Sequence, residues 1–212
     1  MNTTQFNRLG ELGVATVYEA SGREGLIDIP LSQLMPGSRA AGPARTVLCG
    51  QDDNLMVHAV IEQIQPGEVL VLSMPEPAPV ALIGDLLATQ IKVRDAAGIL
   101  VDAAVRDVEE LVKLGLPIWT RFIRVKGATK SKVGELNIAV SVGGTRISLG
   151  DVVVLDTDGG VCVKRERAEE VLKASEARFE KETRLREKLA AGEISYNLHG
   201  LREVVEKDRR NS

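Results

Sequence analysis

The sequence predicts a mixed α/β fold, and three patterns support that prediction. Between residues 69 and 125, short apolar runs typical of buried strands alternate with helical segments, as in βαβ units. From Gly134 to Val163, short strands are separated by glycine-rich turns, which indicates antiparallel or barrel-like sheet. Residues 166–191 lack Gly and Pro and are dense in charge, which predicts a long amphipathic helix.

Each predicted element rests on a local signal. A helix after Asn54 would be capped by that residue and stopped by Pro66-Gly67, and a glycine turn at Gly84-Asp85 opens another helix. The elements, in order, are helix 4–22 (one or two), strand 44–49, helix 54–64, strand 69–73, helix 85–97, strand 98–102, helix 107–114, strands 118–125, 138–142, 152–155 and 161–163, and helices 166–191 and 201–209.

Composition limits the classes of function. The chain has 212 residues, 44% of them hydrophobic and 27% charged, which is ordinary for a globular protein. A net charge of -3 argues against a protein that binds nucleic acid by neutralising phosphates. There is no secretory signal and no apolar run of the ~20 residues needed to cross a bilayer, so we expect a cytoplasmic protein without a membrane partner. Cys49 and Cys162 have no CxxC spacing and are expected to be buried free thiols.

The strand that begins at Gly98 ends on a cation and an anion, Arg106 and Asp107. One interpretation is a helix cap, because Glu110 follows Asp107 in a pattern like a capping box. The other is a functional pair, in which Arg106 binds a carboxylate or an oxyanion and Asp107 gives an oxygen ligand to Mg²⁺ or Mn²⁺. The dipeptide alone favours the cap.

The segment Gly84-Asp85-Leu86-Leu87 has the same two interpretations. It is a glycine turn with an Asp cap, or a helix N-terminus whose backbone N–H groups bind an anion while Asp85 reaches a metal, directly or through water. No GxGxxG or GxxxxGK[ST] motif occurs, which argues against a nucleotide site. His58 and His199 are far apart in the sequence and suggest no shared site, so a zinc site built on histidines is not expected.

Together these segments resemble a known family. Gly84-Asp-Leu-Leu-Ala-Thr89, the stretch Gly98 to Asp107 with Glu110, and Gly150-Asp-Val-Val-Val-Leu-Asp-Thr-Asp-Gly159 are similar to the signature of the 4-hydroxy-4-methyl-2-oxoglutarate/4-carboxy-4-hydroxy-2-oxoadipate aldolases. These are class II pyruvate aldolases, in the superfamily of the regulator of ribonuclease activity A. The similarity covers nearly the whole chain.

The resemblance implies a β/β/α swivelling-domain fold assembled as trimers or hexamers, with active sites between subunits. Residues 1–165 would form the catalytic domain, and residues 166–212 a helical extension that packs on a neighbouring subunit. Asp107 would bind a divalent metal, Mg²⁺ or else Mn²⁺ or Co²⁺, and Arg106 the pyruvyl oxygen. Asp85 would hold metal-bound water. The backbone N–H groups of residues 85–88, beside Gly84, would bind the carboxylate.

Two further residues follow from the resemblance. Glu182, on the inward stripe of the long helix, matches a Glu that an adjacent subunit contributes to the site. Lys130 matches a contact to the distal carboxylate of the substrate. The implied reaction is metal-dependent retro-aldol cleavage of a 4-hydroxy-2-oxo acid to pyruvate, with oxaloacetate decarboxylation as a side activity. The alternatives are a non-catalytic ribonuclease-binding regulator, which resembles a shorter chain, and a menaquinone methyltransferase, for which no cofactor motif is present.

Overall fold

The computed structural model of the protein describes residues 1–210, and the side chains of residues 1–208. The helices are α1 (Thr3–Leu12), α2 (Val14–Ala20), α3 (Leu55–Val60), α4 (Asp85–Val93), α5 (Val108–Leu114), α6 (Ala168–Ala190), α7 (Ser195–Leu198) and α8 (Leu201–Arg210). The strands are β1 (Ser32–Gln33), β2 (Ala40–Leu48), β3 (Val69–Ser73), β4 (Ala81–Ile83), β5 (Gly98–Val105), β6 (Ile118–Ile123), β7 (Glu135–Leu136), β8 (Val140–Val142), β9 (Thr145–Ile147), β10 (Val152–Asp156) and β11 (Gly159–Val163).

Nine of these strands form one mixed sheet, in the order β1-β6-β5-β3-β2-β10-β11, with β4 on β5 and β7 on β2. The contacts β2–β3, β3–β5, β4–β5 and β5–β6 are parallel. β10 is antiparallel to both β2 and β11. The other two strands, β8 and β9, form a separate antiparallel pair. The parallel part therefore comes from the βαβ region and the antiparallel part from the glycine-rich region, as the sequence predicts.

Strand β5 is central because side chains on its two faces enter different cores. All eight of its residues are buried. Ile99 and Val101 pack in the cluster that contains residues of α3, α4 and α5, whereas Leu100 packs with Trp119 and residues of β8–β10. A third cluster joins α1, α2 and the start of α6 to β10 and β11. A continuous apolar run is the pattern that a strand covered on both faces requires.

The predicted α/β fold with a C-terminal helical extension is confirmed, and several boundaries are corrected. β5 continues to Val105 instead of ending at residue 102, because β4 and β6 pair with its second half. β4 itself was not predicted, since three residues after a proline-rich loop give no periodic signal. The helix after Asn54 ends at Val60 and continues as a single 3-10 turn, Ile61–Gln63.

The chain divides into two compact units, Met1–Ser175 and a second that begins at Glu176. The first contains the whole sheet and α1 to α5, together with the start of α6. The second contains the remainder of α6, then α7 and α8. In the described part of the chain, no helix is long and apolar enough to cross a membrane. Cys49 and Cys162 are both free and buried, as expected.

Candidate functional site

The candidate site lies where two neighbouring parallel strands end. β4 ends at Ile83 and leads into α4, and β5 ends at Val105 and delivers Arg106. In sheets of this kind, ligands bind beyond the carboxyl ends of the strands. A pocket of about 130 Å³ occupies this position; it is lined by Asn54, His58, residues 81–87, Arg106, Gly127, Ala128 and Lys130. Six predicted site residues, Gly84, Asp85, Leu86, Leu87, Arg106 and Lys130, thus line one pocket.

Arg106 and Asp107 leave the sheet in a strained turn. The Arg106 N–H donates to the Ile83 carbonyl oxygen over 3.1 Å, which is the last tie between β5 and the end of β4. Asp107 has φ +60°, a left-handed conformation that costs a non-glycine residue of the order of 1–3 kcal/mol. Its Oδ2 lies 3.3 Å from the Asp85 N–H nitrogen and 3.4 Å from Arg106 Nε.

Asp107 does occupy the N-cap position of α5, as the cap interpretation predicts, but the capping-box part of that interpretation is wrong. Its carboxylate makes no capping hydrogen bond to α5. Instead it bonds to the first residue of α4, which lies 22 positions earlier in the sequence. Backbone strain at a partly exposed carboxylate is the pattern that functional sites show more often than caps do.

Two glycines leave room for this pair. A Cβ on Gly84 would stand 2.3 Å from Asp107 Oδ2 and 3.2 Å from Arg106 Nε. A Cβ on Gly127 would stand 2.8 Å from Arg106 Nη1. Gly84 has φ -133°, which any residue adopts, so glycine is needed there for space and not for conformation.

The N-terminus of α4 offers fewer free donors than the sequence suggests. The Ala88 N–H donates to the Gly84 carbonyl oxygen over 3.1 Å, so the expectation that residues 85–88 all bind an anion is corrected at Ala88. The Asp85 N–H faces Asp107 Oδ2. The N–H groups of Leu86 and Leu87 lie in the first turn, where a helix supplies no acceptor, and the helix dipole favours negative charge beside them.

Three more side chains complete the pocket. Lys130 is exposed, and its ammonium has no partner among the residues that the structure describes. Asn54 is buried, donates from Nδ2 to the Leu82 carbonyl oxygen over 3.0 Å, and leaves Oδ1 without a hydrogen bond. His58 also lines the pocket, one turn of α3 after Asn54. On sequence grounds His58 is set aside because only its separation from His199 is considered. The four-residue spacing between Asn54 and His58, one helical turn, is the signal that could have identified His58.

Comparison with known proteins identifies the family. A family model described as "RraA-like: Aldolase/RraA" matches residues 14–162, more than half of the chain. The chain belongs to this RraA-like family. The resemblance seen in the sequence is therefore confirmed.

The relatives of this RraA-like chain have different descriptions. It is 32% identical over 178 residues, 84% of this chain and 82% of the relative, to a Halalkalibacterium halodurans protein named "Putative 4-hydroxy-4-methyl-2-oxoglutarate aldolase". Streptomyces coelicolor RraAS2, described as an unusual member of the RNase ES inhibitor RraA family, is 29% identical with TM-score 0.77, covering 88% of this chain and 97% of that one. A Geobacillus kaustophilus structure described as an S-adenosylmethionine: 2-dimethylmenaquinone methyltransferase is 26% identical with TM-score 0.66, covering 71% and 94%.

The donors in the pocket of this RraA-like chain suit a hard divalent cation. Among the residues described, no group of three or more His, Cys, Asp and Glu could hold a metal ion. Asp107 is about one-third exposed (36%), and only its Oδ2 has polar partners. Mg²⁺ is commonly held by one or two carboxylates, with water and substrate oxygens filling the other positions. Asp107 and Asp85 fit that pattern, and a zinc site rich in His and Cys does not fit.

Neither cysteine is a candidate nucleophile. Burial, helped by the negative charge of Asp53, raises the pKa of Cys49 to about 12. Burial, with the charge of Asp151, likewise raises the pKa of Cys162 to about 12. Both thiols therefore stay protonated at neutral pH, where a thiolate would be needed for attack.

Glu182 lies outside the first unit. It is on the part of α6 that belongs to the second unit, and its carboxylate is 2.8 Å from Arg178 Nε, one turn earlier. This is an i,i+4 pair on a helix surface, worth a few tenths of a kcal/mol. A weak pair of this kind leaves the carboxylate available for a stronger partner.

We predict that Gly84→Ala and Gly127→Ala each disturb the Arg106–Asp107 pair without unfolding the protein. The new Cβ meets the ends of partly exposed side chains, which can move, but the pair then leaves its observed position. Binding of pyruvate, the ligand that the resemblance implies, should weaken about tenfold, a loss of about 1.4 kcal/mol, in calorimetric titrations with Mg²⁺.

The control is Gly10→Ala in α1, where the Cβ makes only an ordinary contact of 3.4 Å with Ala41. This variant should bind pyruvate normally. Unchanged binding in Gly84→Ala would show that the close approach has no functional consequence.

Proposed function

We propose that this protein is a divalent-metal-dependent pyruvate aldolase. Its substrates would be 4-hydroxy-4-methyl-2-oxoglutarate, cleaved to two pyruvates, and/or 4-carboxy-4-hydroxy-2-oxoadipate, cleaved to pyruvate and oxaloacetate. The observation that carries the proposal is one pocket lined by Arg106, Asp85 and the first turn of α4, with Asp107 beside it in an adjoining cleft that shares Arg106 and bonded to the Asp85 N–H. These groups match the carboxylate, keto oxygen and counter-cation of a 2-oxo acid.

The pyruvyl end of the substrate binds at the ends of β4 and β5. The N–H groups of Leu86 and Leu87, with the positive end of the α4 dipole, receive the carboxylate. Arg106 donates from its guanidinium to the keto oxygen. Nη1 and Nη2 of Arg106 have no partner among the described residues, so they are available for this contact. Gly84 and Gly127 let the arginine lie flat against the pocket wall.

Asp107 would hold a divalent cation directly and Asp85 would hold it through water, with Mg²⁺ expected and Mn²⁺ or Co²⁺ able to replace it. When bound, such a cation stabilises negative charge on the keto oxygen as a Lewis acid. The hydrogen bond from the Asp85 N–H and the ion pair with Arg106 Nε hold Asp107 Oδ2 in place, while Oδ1 has no partner among the described residues.

Cleavage breaks the bond between C3 and C4 of the substrate. The C4 hydroxyl gives its proton to the water that Asp85 positions, its C–O bond becomes a carbonyl, and the C3–C4 electron pair moves into the enolate of pyruvate. Arg106 stabilises the negative charge that develops on the enolate oxygen, a contribution worth ~10²–10³ in rate for one donor in comparable sites. Asp85 positions the water that protonates C3. Loss of CO₂ from oxaloacetate gives the same enolate, so decarboxylation is the expected side activity.

The distal end of the substrate faces Lys130. The substrates differ from pyruvate by a second carboxylate, and a free ammonium on the pocket wall is a point charge that attracts it. Lys130 therefore contributes to binding, and Arg106 to both binding and chemistry.

The proposed assembly is a homotrimer or homohexamer with the sites between subunits. Residues 166–212 would pack as a helical extension on a neighbour, and Glu182 would complete the neighbour's site. The support is the resemblance together with a stripe carboxylate whose ion-pair partner in the described part of the chain is Arg178, on the surface of the same helix.

A second candidate is a non-catalytic regulator that binds a ribonuclease. The similarity to RraAS2 favours it, and that protein covers 88% of this chain, so chain length does not separate the two functions. The pocket favours the aldolase, because a surface that only docks a protein has no need of a left-handed Asp107 or of Arg106 Nη atoms that have no partner among the described residues. The aldolase is therefore the preferred proposal.

The first test of the proposal is product formation. With Mg²⁺, the protein should release pyruvate from 4-hydroxy-4-methyl-2-oxoglutarate in an assay coupled to lactate dehydrogenase, and EDTA should abolish the release until Mg²⁺ is restored. Activity that survives chelation and is trapped by borohydride would indicate a Schiff-base lysine. No release from any of a panel of 4-hydroxy-2-oxo acids, with tight ribonuclease binding, would establish the regulator instead.

The second test concerns the Arg106–Asp107 pair. Arg106→Ala and Asp107→Ala should each lower kcat about 100-fold or more, because each removes a group that stabilises the enolate or holds the cation. Circular dichroism and thermal unfolding should remain close to wild type, since both side chains are partly exposed. The control is Arg165→Ala, an exposed arginine on the far segment after β11, which should be silent. Near-normal turnover in either site variant would refute the assignment.

The third test concerns Glu182. Glu182→Gln should lower turnover without preventing pyruvate binding, because the residue acts from a neighbour on the reacting end and not on the carboxylate. Glu180→Gln, an exposed neighbour on the same helix, is the matched control and should be unaffected. Full activity in a monomer, measured by light scattering under assay conditions, would contradict a shared site.

A further inference from the structure

Lys130 lies on a segment that has no regular structure of its own. Residues 124–134 connect β6 to β7 without a strand or helix of their own. Isolated β-bridges, Asp53 to Thr129 and Ala81 to Gly127, and a few backbone hydrogen bonds join this loop to its neighbours. The position of the Lys130 ammonium therefore depends on what anchors the loop. In an unanchored loop the Lys130 ammonium would occupy many positions, and its attraction for a bound anionic ligand would be weaker.

The anchor is the carboxylate of Asp53, which is fully buried (0% exposed). Its Oδ2 accepts from the Thr129 hydroxyl over 2.6 Å, from the Ser131 N–H over 2.7 Å and from the Lys132 N–H over 3.1 Å. Bonds to both Thr129 and Ser131 fix the residues on either side of Lys130. One oxygen atom thus accepts hydrogen bonds from residues on both sides of the lysine, in addition to the backbone bonds of Thr129.

The same side chain also fixes the opposite part of the pocket wall. Asp53 Oδ1 accepts from the Leu55 N–H over 2.8 Å, at the first turn of α3, the helix that carries His58. Next to it, the Asn54 N–H donates to the Thr129 carbonyl oxygen over 2.9 Å. Loop and helix are therefore joined through one carboxylate and its neighbour.

The carboxylate is ionised in this position. Burial by itself raises the pKa of Asp53, but the hydrogen bonds from Thr129, Ser131, Leu55 and Lys132 outweigh burial and hold that pKa below its usual range. Hydrogen bonds to an ionised acceptor are about twice as strong as neutral ones, so the charge strengthens the anchor.

We propose that Asp53 is a positioning residue, which sets the affinity of the pocket for a distal carboxylate by holding Lys130 in place. The proposal rests on the proposed function, since it takes the ligand to be a dicarboxylic 2-oxo acid. Asp53 itself touches no ligand. Its effect passes through Lys130, because the side-chain hydrogen bonds of Asp53 go to Leu55, Thr129, Ser131 and Lys132 and not to the pyruvyl end of the site on β4, α4 and β5.

The chain contains a matched control for the loss of a buried carboxylate. Asp151 is 4% exposed and accepts from the Ser148 N–H over 2.9 Å, the Lys164 ammonium over 2.8 Å and the Arg165 N–H over 3.1 Å. It also ties loop segments together, but none of its partners lines the pocket with Lys130. Asp151→Asn should therefore lower stability as Asp53→Asn does, without affecting the pocket.

The experiment measures binding of two probes to the full chain with Mg²⁺ by calorimetry. 2-Oxoglutarate has a distal carboxylate and no C4 hydroxyl, so it binds without retro-aldol cleavage, whereas pyruvate has no distal carboxylate. Asp53→Asn should weaken 2-oxoglutarate binding about tenfold and pyruvate binding less than about twofold. In a Lys130→Ala background, Asp53→Asn should cause no further loss, because non-additivity marks residues that act together.

Asp151→Asn should leave both affinities unchanged. If Asp53→Asn does not fold, Thr129→Val, which has the same shape and removes the shortest donor, provides the same test with a smaller loss. Equal weakening of both probes, additive losses with Lys130→Ala, or wild-type protein that binds 2-oxoglutarate no more tightly than pyruvate would each overturn the proposal.

These outcomes are separate from those of the aldolase assay. If the variants show the coupling between Asp53 and Lys130 but the wild-type protein releases no pyruvate from any 4-hydroxy-2-oxo acid, the aldolase function is refuted and the positioning role is retained. Normal pyruvate release without the coupling would refute the positioning role alone.

Discussion

The site depends on one close approach, in which the backbone of Gly84 lies against the side chains of Arg106 and Asp107. β4 and β5 are parallel neighbours, so the segments that follow them leave the sheet at the same edge. Any side chain at residue 84 would collide with Asp107 Oδ2. Because glycine has no side chain, the Asp107 carboxylate can lie there and bond to the first N–H of α4, which leaves the next N–H groups, at Leu86 and Leu87, for a ligand. Helix dipole, carboxylate and guanidinium then act at one place.

This arrangement is not the most stable one for its residues. Asp107 is held in the left-handed region, and Asn54 keeps a buried acceptor unpaired, each of which costs about 1–3 kcal/mol. The surrounding strands offset these costs: β5 buries all of its residues, and burial of one large aliphatic side chain contributes about 1.5–3 kcal/mol. Four other non-glycine residues in the described chain also have positive φ, so it is the position of Asp107, next to the pocket-lining Arg106 and at the end of a strand buried on both faces, that points to a function.

The sequence predicts those parts of the fold that depend on local patterns. The buried runs of β3 and β5, the glycine turn before α4 and the long α6 each have their own periodic or turn signal. It does not predict β4, which has three residues and exists through pairing with β5. It favours a side-chain cap at Asp107, because a capping-box pattern in the sequence cannot show that the carboxylate turns back to α4. Local patterns cannot predict the role of Asp53, because the hydrogen-bond donors to its carboxylate, Thr129, Ser131 and Lys132, lie 76 to 79 residues away in the sequence.

The two ends of the pocket differ in how they are built, and this difference bears on selectivity. The pyruvyl end consists of strand ends and a helix N-terminus, whose positions are fixed by the sheet. The distal end consists of Lys130 on an irregular loop, which backbone hydrogen bonds and one buried carboxylate hold on both sides of the lysine. Changes in residues 129–132 can therefore alter which second group the pocket accepts, while Gly127 and the Arg106–Asp107 turn remain in place. A scaffold of this kind can keep one half of a reaction constant and vary the other, because rigid elements carry the chemistry and an anchored loop carries the choice of ligand.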